Sequence, residues 1–519
     1  MLNLSSEGLE WSLKQALNYG DTDIFPEIFE FKAINFDKDG IFNGLKNEDV
    51  LNRNVRPHRR CLTPKHQYGF RISTQLDPID FLVFTTLVYE IGEDIENTRV
   101  PKNNDVVHSY RFSPNNDGQM YDKNYGYETF SKTINELLNE DKYNWIVMAD
   151  IADFFPRLYH HRVYNALIRC TNKNNHAVAL DKLLSGWNEN ISYGIPVGSA
   201  SSRLLAEIAL DDVDRALLSE RTVYTRYSDD FRIFCSTKRE AYEKLSFLAN
   251  VLFENHGLTL QQNKTRIIST EEFGELYFST TQEEINKLSK ILEEIFDEMG
   301  LDFYDEIDWD DLTEEQQKEI SELNLREILS EQVEKKEINI QLTRFVVRRL
   351  TQLSSEEALD IILNNIENLY PIIPDVIKYI LSLKNLHEKE KLKVGKHLIN
   401  LLDNSSIVSH LEFHRMWLLK IFTEDMLFNN ENQFVKLISD YNDNFTKRKL
   451  ILALGNFDQD EWFRRHKRSF FEFPTWVRRA ILCGGSCLPP DERKHWYHSL
   501  NRRLDPLELA IIKWGKQNT

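Results

Sequence analysis

The stretch TVYTRYSDDFRIFCS (222–236) decides the interpretation of the chain, because it holds two adjacent carboxylates, Asp229 and Asp230, between two β-prone apolar runs. Such runs on both sides of a short polar segment predict a β-hairpin with the acids near its turn. Neighbouring carboxylates repel each other unless a cation neutralises them. An Asp-Asp pair alone is most often an ordinary turn or helix cap, so a functional site is predicted only if a second stretch supplies another carboxylate.

That second stretch is WIVMADIADFF (145–155), which predicts a strand ending at Asp150. Asp153 follows as a cap or turn residue. A two-metal phosphoryl-transfer site requires carboxylates from separate strands that hold two ions about 4 Å apart. Mg²⁺ prefers such hard oxygen ligands. Asp150, Asp229 and Asp230 are therefore the predicted catalytic and metal-binding residues, for two Mg²⁺ ions with Mn²⁺ as a substitute.

The charge of the chain is unevenly distributed over its 519 residues, although the total is −18. Residues 270–340 hold 23 Asp and Glu against 6 Lys and Arg, so the remainder is almost neutral. Residues 53–71 carry six basic and no acidic residues, and residues 446–503 carry 13 basic against 6 acidic. Local fields decide whether a phosphate backbone can dock. The alternative is a set of ordinary solvated faces. The predicted nucleic-acid-binding residues are Arg464, Arg465, Lys467, Arg468, Arg478 and Arg479.

Several protein classes are disfavoured by composition. No run reaches the roughly 18 apolar residues of a membrane span, and the first residues lack the pattern of a signal peptide. The five cysteines are odd in number and scattered, which fits a reducing compartment. We therefore expect a cytoplasmic protein with no membrane partner.

The hydrophobic pattern changes along the chain. The first helix is predicted to begin at Ser5 or Ser6 and to run to Gly20. Strand and helix signals alternate up to about residue 285, and residues 200–218 read as one helix. Beyond residue 286, apolar residues recur only at helical spacing, which is typical of stacked helix pairs. The predicted fold is thus α+β followed by an all-α helical-repeat domain. The predicted domains are 1–50 (helical extension), 51–285 (α+β), 286–345 (acidic junction) and 346–519 (helical repeats).

Six ordered blocks resemble the motifs of reverse transcriptases. The run after Asp150 and the Tyr-Ser-Asp-Asp hairpin resemble motifs A and C, and GIPVGSASSRLLAE (194–207) between them resembles motif B. GLTL (257–260) with Lys264 resembles motif D, and FRISTQLDP (70–78) with HSYRF (108–112) resembles the fingers motifs. The resemblance covers roughly residues 15–280. It implies a fingers and palm fold, with residues 1–50 as an extension of the fingers.

Finer features resemble one branch, the bacterial abortive-infection and defence-associated reverse transcriptases of the AbiK type. Val197 stands where other branches have Gln, and Arg203 stands where they have Pro. YGDTDIFP (19–26) and the closing segment 476–496 are also similar to this branch. The likeness implies a HEAT-like C-terminal domain and a homo-oligomer, trimeric or larger.

The resemblance also implies individual roles. Phe155 would pack under the incoming sugar and exclude a 2′-hydroxyl, and the Ile151 carbonyl would join the metal ligands. The other implied nucleotide-binding residues are Arg111, Lys65 and Arg71 (triphosphate), Gly198 (close backbone approach) and Lys264 (leaving pyrophosphate). For each, an ordinary structural role is the competing interpretation: core packing for Phe155, a surface salt bridge or solvated side chain for the cations, and a turn for Gly198.

The implied function is antiviral defence by polymerisation of dNTPs into DNA, protein-primed and untemplated, with the product covalently attached. Two alternatives stay open. One is copying of a dedicated non-coding RNA, and the other is a non-catalytic scaffold with a polymerase-like domain. An RNA-synthesising polymerase is disfavoured by Phe155.

Overall fold

The structure, a computed structural model, describes residues 1–189, 191–277, 324–403, 406–429 and 431–515. The chain forms two compact units. The first comprises Met1–Asp23, Glu27–Arg60 and Ser73–Tyr277, and the second comprises Ile24–Pro26, Cys61–Ile72 and Phe278–Thr519. The first unit mixes helices and strands, whereas every regular element described between residues 324 and 515 is helical. This confirms the predicted fold class. Most of the acidic segment 270–340 lies outside the described residues.

The described strands form two antiparallel sheets. A hairpin pairs β1 (Arg59–His66) with β2 (Gly69–Gln75), and its outer part, residues 61–72, belongs to the second unit. The larger sheet has the order β4 (Val223–Tyr227), β5 (Asp230–Cys235), β3 (Trp145–Asp150), β6 (Arg266–Ser269). The predicted strand at 145–151 and the predicted hairpin at 222–236 are confirmed.

One face of the larger sheet is covered by a hydrophobic cluster. Ile146 on β3 lies opposite Phe234 on β5 and Ile268 on β6, and all three are buried against Phe130 and Phe273. Side chains along a strand alternate between the two faces. Asp150 on β3, together with Asp230 and Arg232 on β5, therefore lies on the same face as this cluster, at the end of the sheet.

The helices of the first unit surround this sheet and extend from it. The first helix begins at Ser6 because the Ser5 side chain caps it by accepting a hydrogen bond from the Gly8 N–H. The predicted helix over 200–218 is instead two helices that meet at Leu210. The sequence has no Pro or Gly there to signal the break. The α-helices are Ser6–Tyr19, Glu30–Phe36, Lys38–Asn47, Pro78–Thr98, Tyr127–Leu138, Phe154–Arg157, His160–Cys170, Asn174–Trp187, Ala200–Ala209, Asp211–Ser219, Lys238–His256 and Thr270–Tyr277.

The second unit is a succession of short helices. The α-helices described there are Leu325–Glu334, Ile340–Gln352, Leu359–Asn364, Ile373–Ser382, Glu388–Asp403, Ile407–His410, Glu412–Leu418, Lys420–Glu424, Glu431–Asp440, Asn444–Asn456, Asp460–His466, Thr475–Gly484, Pro490–Leu500 and Pro506–Gly515. Residues 24–26 join this unit, since Phe25 stacks on Phe445 and the Ile24 carbonyl accepts a hydrogen bond from the Trp417 indole at 3.1 Å.

Two of these helices touch without intervening side chains. A Cβ atom added at Gly455 would lie 2.3 Å from the Cα atom of Gly484 on the helix Thr475–Gly484. Only glycine at both positions permits this separation. Among the described residues, no helix is both long and apolar enough to cross a lipid bilayer.

Candidate active site at the end of the four-stranded sheet

The register of the central strands brings the predicted carboxylates together. Asp150, the last residue of β3, is the direct cross-strand partner of Asp230, the first residue of β5. The Ile151 N–H donates a hydrogen bond to the Asp229 carbonyl at 3.1 Å, so the pairing continues one step past the strand ends. Asp229 follows Ser228, which occupies the turn with φ +56°. The hairpin and the strand therefore place all three acids at one end of the sheet.

A cation neutralises each of the two facing carboxylates. The Lys264 ammonium lies 2.7 Å from Asp150 Oδ2. The Arg232 guanidinium binds both carboxylate oxygens of Asp230, with an Nη2–Oδ2 distance of 2.9 Å. Asp230 and Arg232 are two residues apart on one strand and hence on the same face, which explains this short-range pairing. Charge neutralisation allows the acids to stand close together.

The loop that carries Lys264 is fixed to the end of β3 by backbone hydrogen bonds. The Gln261 N–H donates to the Asp150 carbonyl at 2.7 Å, and the Ala152 N–H donates to the Thr259 carbonyl at 2.9 Å. The predicted motif D segment thus lies beside Asp150. The Lys264 ammonium contacts the carboxylate of Asp150, and its predicted contact with the leaving pyrophosphate stays a prediction.

The donor set suits a hard divalent cation in kind and in position. Asp150, Asp229 and Asp230 offer carboxylate oxygens at neighbouring strand ends, and Ile151 is the first residue after β3. Within the described part of the chain, no three or more His, Cys, Asp or Glu side chains are already gathered as a metal cluster. Lys264 binds the carboxylate of Asp150 and Arg232 binds that of Asp230.

A buried ionic network supports the hairpin that carries Asp229. Arg226 on β4 is fully buried and forms a bidentate pair with Asp214, at 2.7 and 2.6 Å. It also lies 3.0 Å from a carboxylate oxygen of Glu207, which is on the motif B helix. Burial lowers the pKa of Arg226, but the carboxylates of Asp214 and Glu207 outweigh burial and raise it above its ordinary value. The hairpin is therefore tied to two helices.

Two hydrogen bonds connect this network to the turn. The Ser228 N–H donates to Ser109 Oγ at 2.8 Å, and Ser109 Oγ–H donates to Glu207 Oε1 at 2.6 Å. The Arg226 guanidinium donates to the Ser228 carbonyl at 3.0 Å. Both backbone polar groups of Ser228 are thus held by buried side chains. The left-handed conformation next to Asp229 is fixed by its surroundings.

Phe155 and Gly198 both lie in the first unit. Phe155 is in the short helix Phe154–Arg157 that follows β3, and Gly198 precedes the helix Ala200–Ala209. Phe154 is buried as predicted, whereas Phe155 is half-buried and packs edge-on against it. The Phe155 carbonyl accepts a hydrogen bond from the Ile195 N–H at 3.1 Å, which links motif A to motif B. Gly198 has φ +111°, a conformation that favours glycine. Their proposed contacts with a nucleotide stay predictions.

Arg111 does not lie on an open surface, which argues against the predicted contact with the triphosphate. Its side chain is buried, pairs with Glu96 at 2.6 Å, and donates to the Val100 carbonyl at 3.0 Å. A guanidinium enclosed by such partners cannot reach a phosphate without breaking them. Lys65 and Arg71 are exposed on the β1–β2 hairpin, in the part that belongs to the second unit. Their role stays a prediction.

The predicted basic surface of the second unit is largely neutralised by its own acids. Arg479 is fully buried, and Arg478 pairs with the buried Glu508 at 2.9 Å. Arg464 and Lys467 share Glu492, and Arg465 pairs with Glu461. Arg468 is exposed. The structure thus corrects the assignment for Arg479, because a buried guanidinium cannot contact a phosphate backbone, and it weakens the assignment for the paired residues.

Sequence reasoning missed Arg232 and the buried network of Ser109, Glu207, Asp214 and Arg226. Two signals were available. Arg226 is a charged residue inside an apolar strand, and such a residue requires a partner when it is buried. Arg232 follows Asp230 at strand spacing.

Comparison with known proteins gives a family match over this region. Residues 104–306 match the family model described as "Reverse transcriptase (RNA-dependent DNA polymerase)". A curated relative, the Retron Ec86 reverse transcriptase of Escherichia coli, is 25% identical over 149 residues, which is 27% of this chain and 44% of the relative. The chain thus matches less than half the length of that relative.

Two solved structures show a distant likeness. Telomerase from Candida albicans with a telomeric RNA fragment has a TM-score of 0.32 at 12% identity, covering 76% of this chain and 67% of that one. Apo telomerase from Candida tropicalis has a TM-score of 0.29 at 12% identity, covering 74% and 73%. Likenesses this distant say nothing of function. The sequence match is to reverse transcriptases, over the residues that hold Asp150, Asp229 and Asp230.

Proposed function

We propose that the protein is an RNA-directed DNA polymerase that joins dNTPs into DNA at Asp150, Asp229 and Asp230. The observation that carries the proposal is the register of β3 and β5, which sets Asp150 opposite Asp230 with Asp229 one residue before it. The family match over residues 104–306 supports it.

In the proposed reaction the 3′-oxygen of the growing strand forms a bond to the α-phosphorus of a dNTP, and the bond to pyrophosphate breaks. Two bound Mg²⁺ ions, or Mn²⁺ as a substitute, would lower the pKa of the 3′-hydroxyl and stabilise charge on the leaving group. The three aspartates and the Ile151 carbonyl would hold these ions. Lys264, on the loop that is held against Asp150, would stabilise the negative charge of the leaving group.

The activity is tested by incubating the purified protein with Mg²⁺ and dNTPs or, separately, NTPs. Incorporation of dNTPs is expected, and Asp229→Asn with Asp230→Asn should lower it at least about 100-fold. The matched control is Glu271→Gln with Glu272→Gln, an adjacent exposed pair on the helix Thr270–Tyr277. Incorporation of NTPs alone would indicate an RNA polymerase, and no incorporation would indicate a scaffold.

Selection of deoxynucleotides is assigned to Phe155, whose half-buried ring follows Asp150 by five residues. Phe155→Val should permit incorporation of NTPs, since a smaller side chain leaves room for a 2′-hydroxyl. Phe154→Leu is the control, because Phe154 is buried and should affect stability without changing nucleotide choice. Unchanged selectivity in Phe155→Val would place the gate elsewhere.

The biological role we propose is anti-phage defence in the bacterial cytoplasm, with protein-primed and untemplated synthesis by a homo-oligomer. The resemblance of motif B and of the C-terminal segment to the abortive-infection branch supports this, as does Val197 at the position of the usual Gln. The match to a retron reverse transcriptase favours the second candidate, copying of an RNA template. Mass spectrometry of the purified protein distinguishes them: covalently attached deoxynucleotides indicate protein priming. Product that forms only with an added RNA indicates templated copying.

A further inference from the structure

The second unit contains a cavity of ≈ 600 Å³ that the proposed catalytic site does not use. Its walls come from the tip of the β1–β2 hairpin and from the segments around Lys335, Tyr370 and His414. Two hydrogen bonds join the hairpin to the helical part, from the Tyr370 hydroxyl to the Gln67 carbonyl and from the Gln67 amide to the Lys336 carbonyl. The volume lies within the range of small-molecule and cofactor sites.

Aromatic side chains line the opening of this cavity in an exposed state. Tyr68 and Phe70, on the hairpin tip, are 72% and 51% exposed. Tyr370 lies in the wall, with its ring 6.0 Å from the ring of His414. Exposed rings gathered around a cavity offer flat surfaces for stacking, and every nucleobase has a flat face to stack.

His414 supplies polar atoms at the inner wall. It is 1% exposed, and neither ring nitrogen forms a well-aligned hydrogen bond with a described residue, although the backbone of Tyr370 and of Ile407 lies close to the ring. Burial lowers its pKa to about 4, against smaller opposing contributions from the backbone of Tyr370 and Ile407. The ring is therefore neutral at pH 7, with one nitrogen a donor and the other an acceptor. A ligand group that reached one of these nitrogens would supply a hydrogen-bond partner for it.

The rim of the cavity carries two ammonium groups, on a segment where Lys335 and Lys336 stand between the exposed Glu334 and Glu337. Lys335 and Lys336 are exposed, and neither ammonium forms an ion pair with a described residue. Glu367 is the acidic residue in the lining, and its carboxylate accepts a hydrogen bond from the Ile407 N–H at 3.1 Å. The exposed aromatic rings, the buried imidazole of His414 and the two lysine ammonium groups together fit a nucleobase attached to a phosphate.

We propose that this cavity binds a nucleotide unit of single-stranded DNA, with the base against Tyr68 and Phe70, its edge toward His414 and the phosphate near Lys335 and Lys336. The proposal rests on the proposed function, because the strand is the product of that reaction. Free nucleotides share this chemistry, so the experiment compares both sources.

Binding is measured with the full chain carrying Asp229→Asn and Asp230→Asn, which excludes synthesis during the assay. Fluorescence anisotropy with a 5′-labelled oligo(dT) probe should show that Tyr68→Ala with Phe70→Ala weakens binding about 10-fold or more. The matched control is Tyr242→Ala with Phe253→Ala, two rings that are 67% and 65% exposed on the helix Lys238–His256. Affinity unchanged by the cavity variant, or lowered equally by the control, would overturn the proposal.

Two further arms identify the site and the source. Photocrosslinking with 5-iododeoxyuridine in the oligonucleotide should attach the strand at Tyr68, Phe70 or Tyr370, and attachment only elsewhere would reject the cavity. Displacement of the oligonucleotide by micromolar dTMP would identify a free nucleotide as the ligand of the same site, whereas resistance to dTMP supports the strand. Because binding is measured without synthesis, the two proposals are tested separately. Failure of the cavity to bind DNA would leave the polymerase proposal intact, and absence of polymerase activity would leave the binding result intact.

Discussion

Ser228 shows how much of the candidate site depends on one residue's backbone. Its φ of +56° is in the left-handed region, which costs a non-glycine residue about 1 kcal/mol. Ser109 and Arg226 hold its N–H and its carbonyl, so the conformation is maintained by side chains that are distant in sequence. The orientation of Asp229 follows from this turn. Ser109 is thus a positioning residue.

Ser109→Ala removes the acceptor for the Ser228 N–H and should lower kcat about 10-fold with little change in KM for dNTPs, because the turn loses its support. Ser228→Gly in the same chain should restore part of the loss, since glycine adopts positive φ without cost. Steady-state kinetics and thermal unfolding measure both effects.

Ser12→Ala is the control for this series. Ser12 is fully buried and hydrogen-bonded to Thr86, so its loss should affect stability and leave kcat unchanged. If Ser228→Gly fails to rescue Ser109→Ala while both variants fold, Ser109 acts in some way other than through the turn.

Asp21 gives the first unit a dependence of stability on pH. Burial raises the pKa of Asp21 from 3.8 to about 6, against a hydrogen bond donated by the Gln75 amide at 3.0 Å. The folded state therefore binds one more proton than the unfolded chain between about pH 4 and pH 6, and stability falls as pH rises through this range.

Asp21→Asn should raise the free energy of unfolding above pH 6 by up to about 3 kcal/mol, because the amide carries no charge to bury. Below pH 4 the variant and the parent should agree. Thermal unfolding from pH 4 to 8 measures this, with the exposed Asp117→Asn as control. A variant that retains the pH dependence of the parent would assign it to another group.

At the scale of elements, the strands of the larger sheet could be predicted from the sequence, whereas the partners of the buried charged side chains could not. Alternating and apolar runs predict β3 and the β4–β5 hairpin from local sequence alone. The carboxylates Asp150, Asp229 and Asp230 were identified because they stand at the ends of those strands. The burial of Arg111 depends on Glu96, and the role of Glu207 depends on Ser109 and Arg226. These partners meet only after folding, so single-sequence patterns hold no record of them. The break at Leu210 likewise lacks a local signal.

The contact between Gly455 and Gly484 predicts a strong effect of one methyl group. Gly455→Ala places a Cβ atom 2.3 Å from backbone, so the helices Asn444–Asn456 and Thr475–Gly484 must separate. We expect a loss of about 3 kcal/mol in unfolding free energy, measured by denaturant titration.

The control is Gly44→Ala in the helix Lys38–Asn47, where an added Cβ meets nothing within 4 Å. This change should stabilise by up to about 1 kcal/mol, because alanine favours helix. Equal effects of the two substitutions would show that backbone propensity, and not the helix contact, decides the outcome at Gly455.

At the scale of the whole molecule, we expect a homo-oligomer of at least three chains. A helical array needs its terminal elements capped or paired, and closed cyclic assemblies are common among homo-oligomers. Light scattering should give a mass at least three times the 61.3 kDa of one chain. The Asp229→Asn, Asp230→Asn variant serves as control and should give the same mass. A fully active monomer would contradict the prediction.

Charge reversal at Arg464, Arg465, Lys467 and Arg468 tests the basic segment of the second unit within the same assembly. The ion pair of Arg465 with Glu461 is exposed and that of Lys467 with Glu492 is partly exposed, so both can rearrange and a contact with the product is testable. Shortened or released product would support that contact. Unchanged, still-bound product would identify the segment as an ordinary solvated face.

The pairs Lys264–Asp150 and Arg232–Asp230 make metal loading a competition between cations. On the proposed function, a divalent ion gains only the difference between its own affinity and that of the side chain it displaces, so the apparent dissociation constant is higher than the intrinsic one. Synthesis would therefore decline once the free Mg²⁺ concentration falls below this apparent constant. Calorimetric titration with Mg²⁺ should show that Lys264→Gln binds the ion more tightly than the parent does. The dNTP-incorporation assay should show that the same variant turns over more slowly.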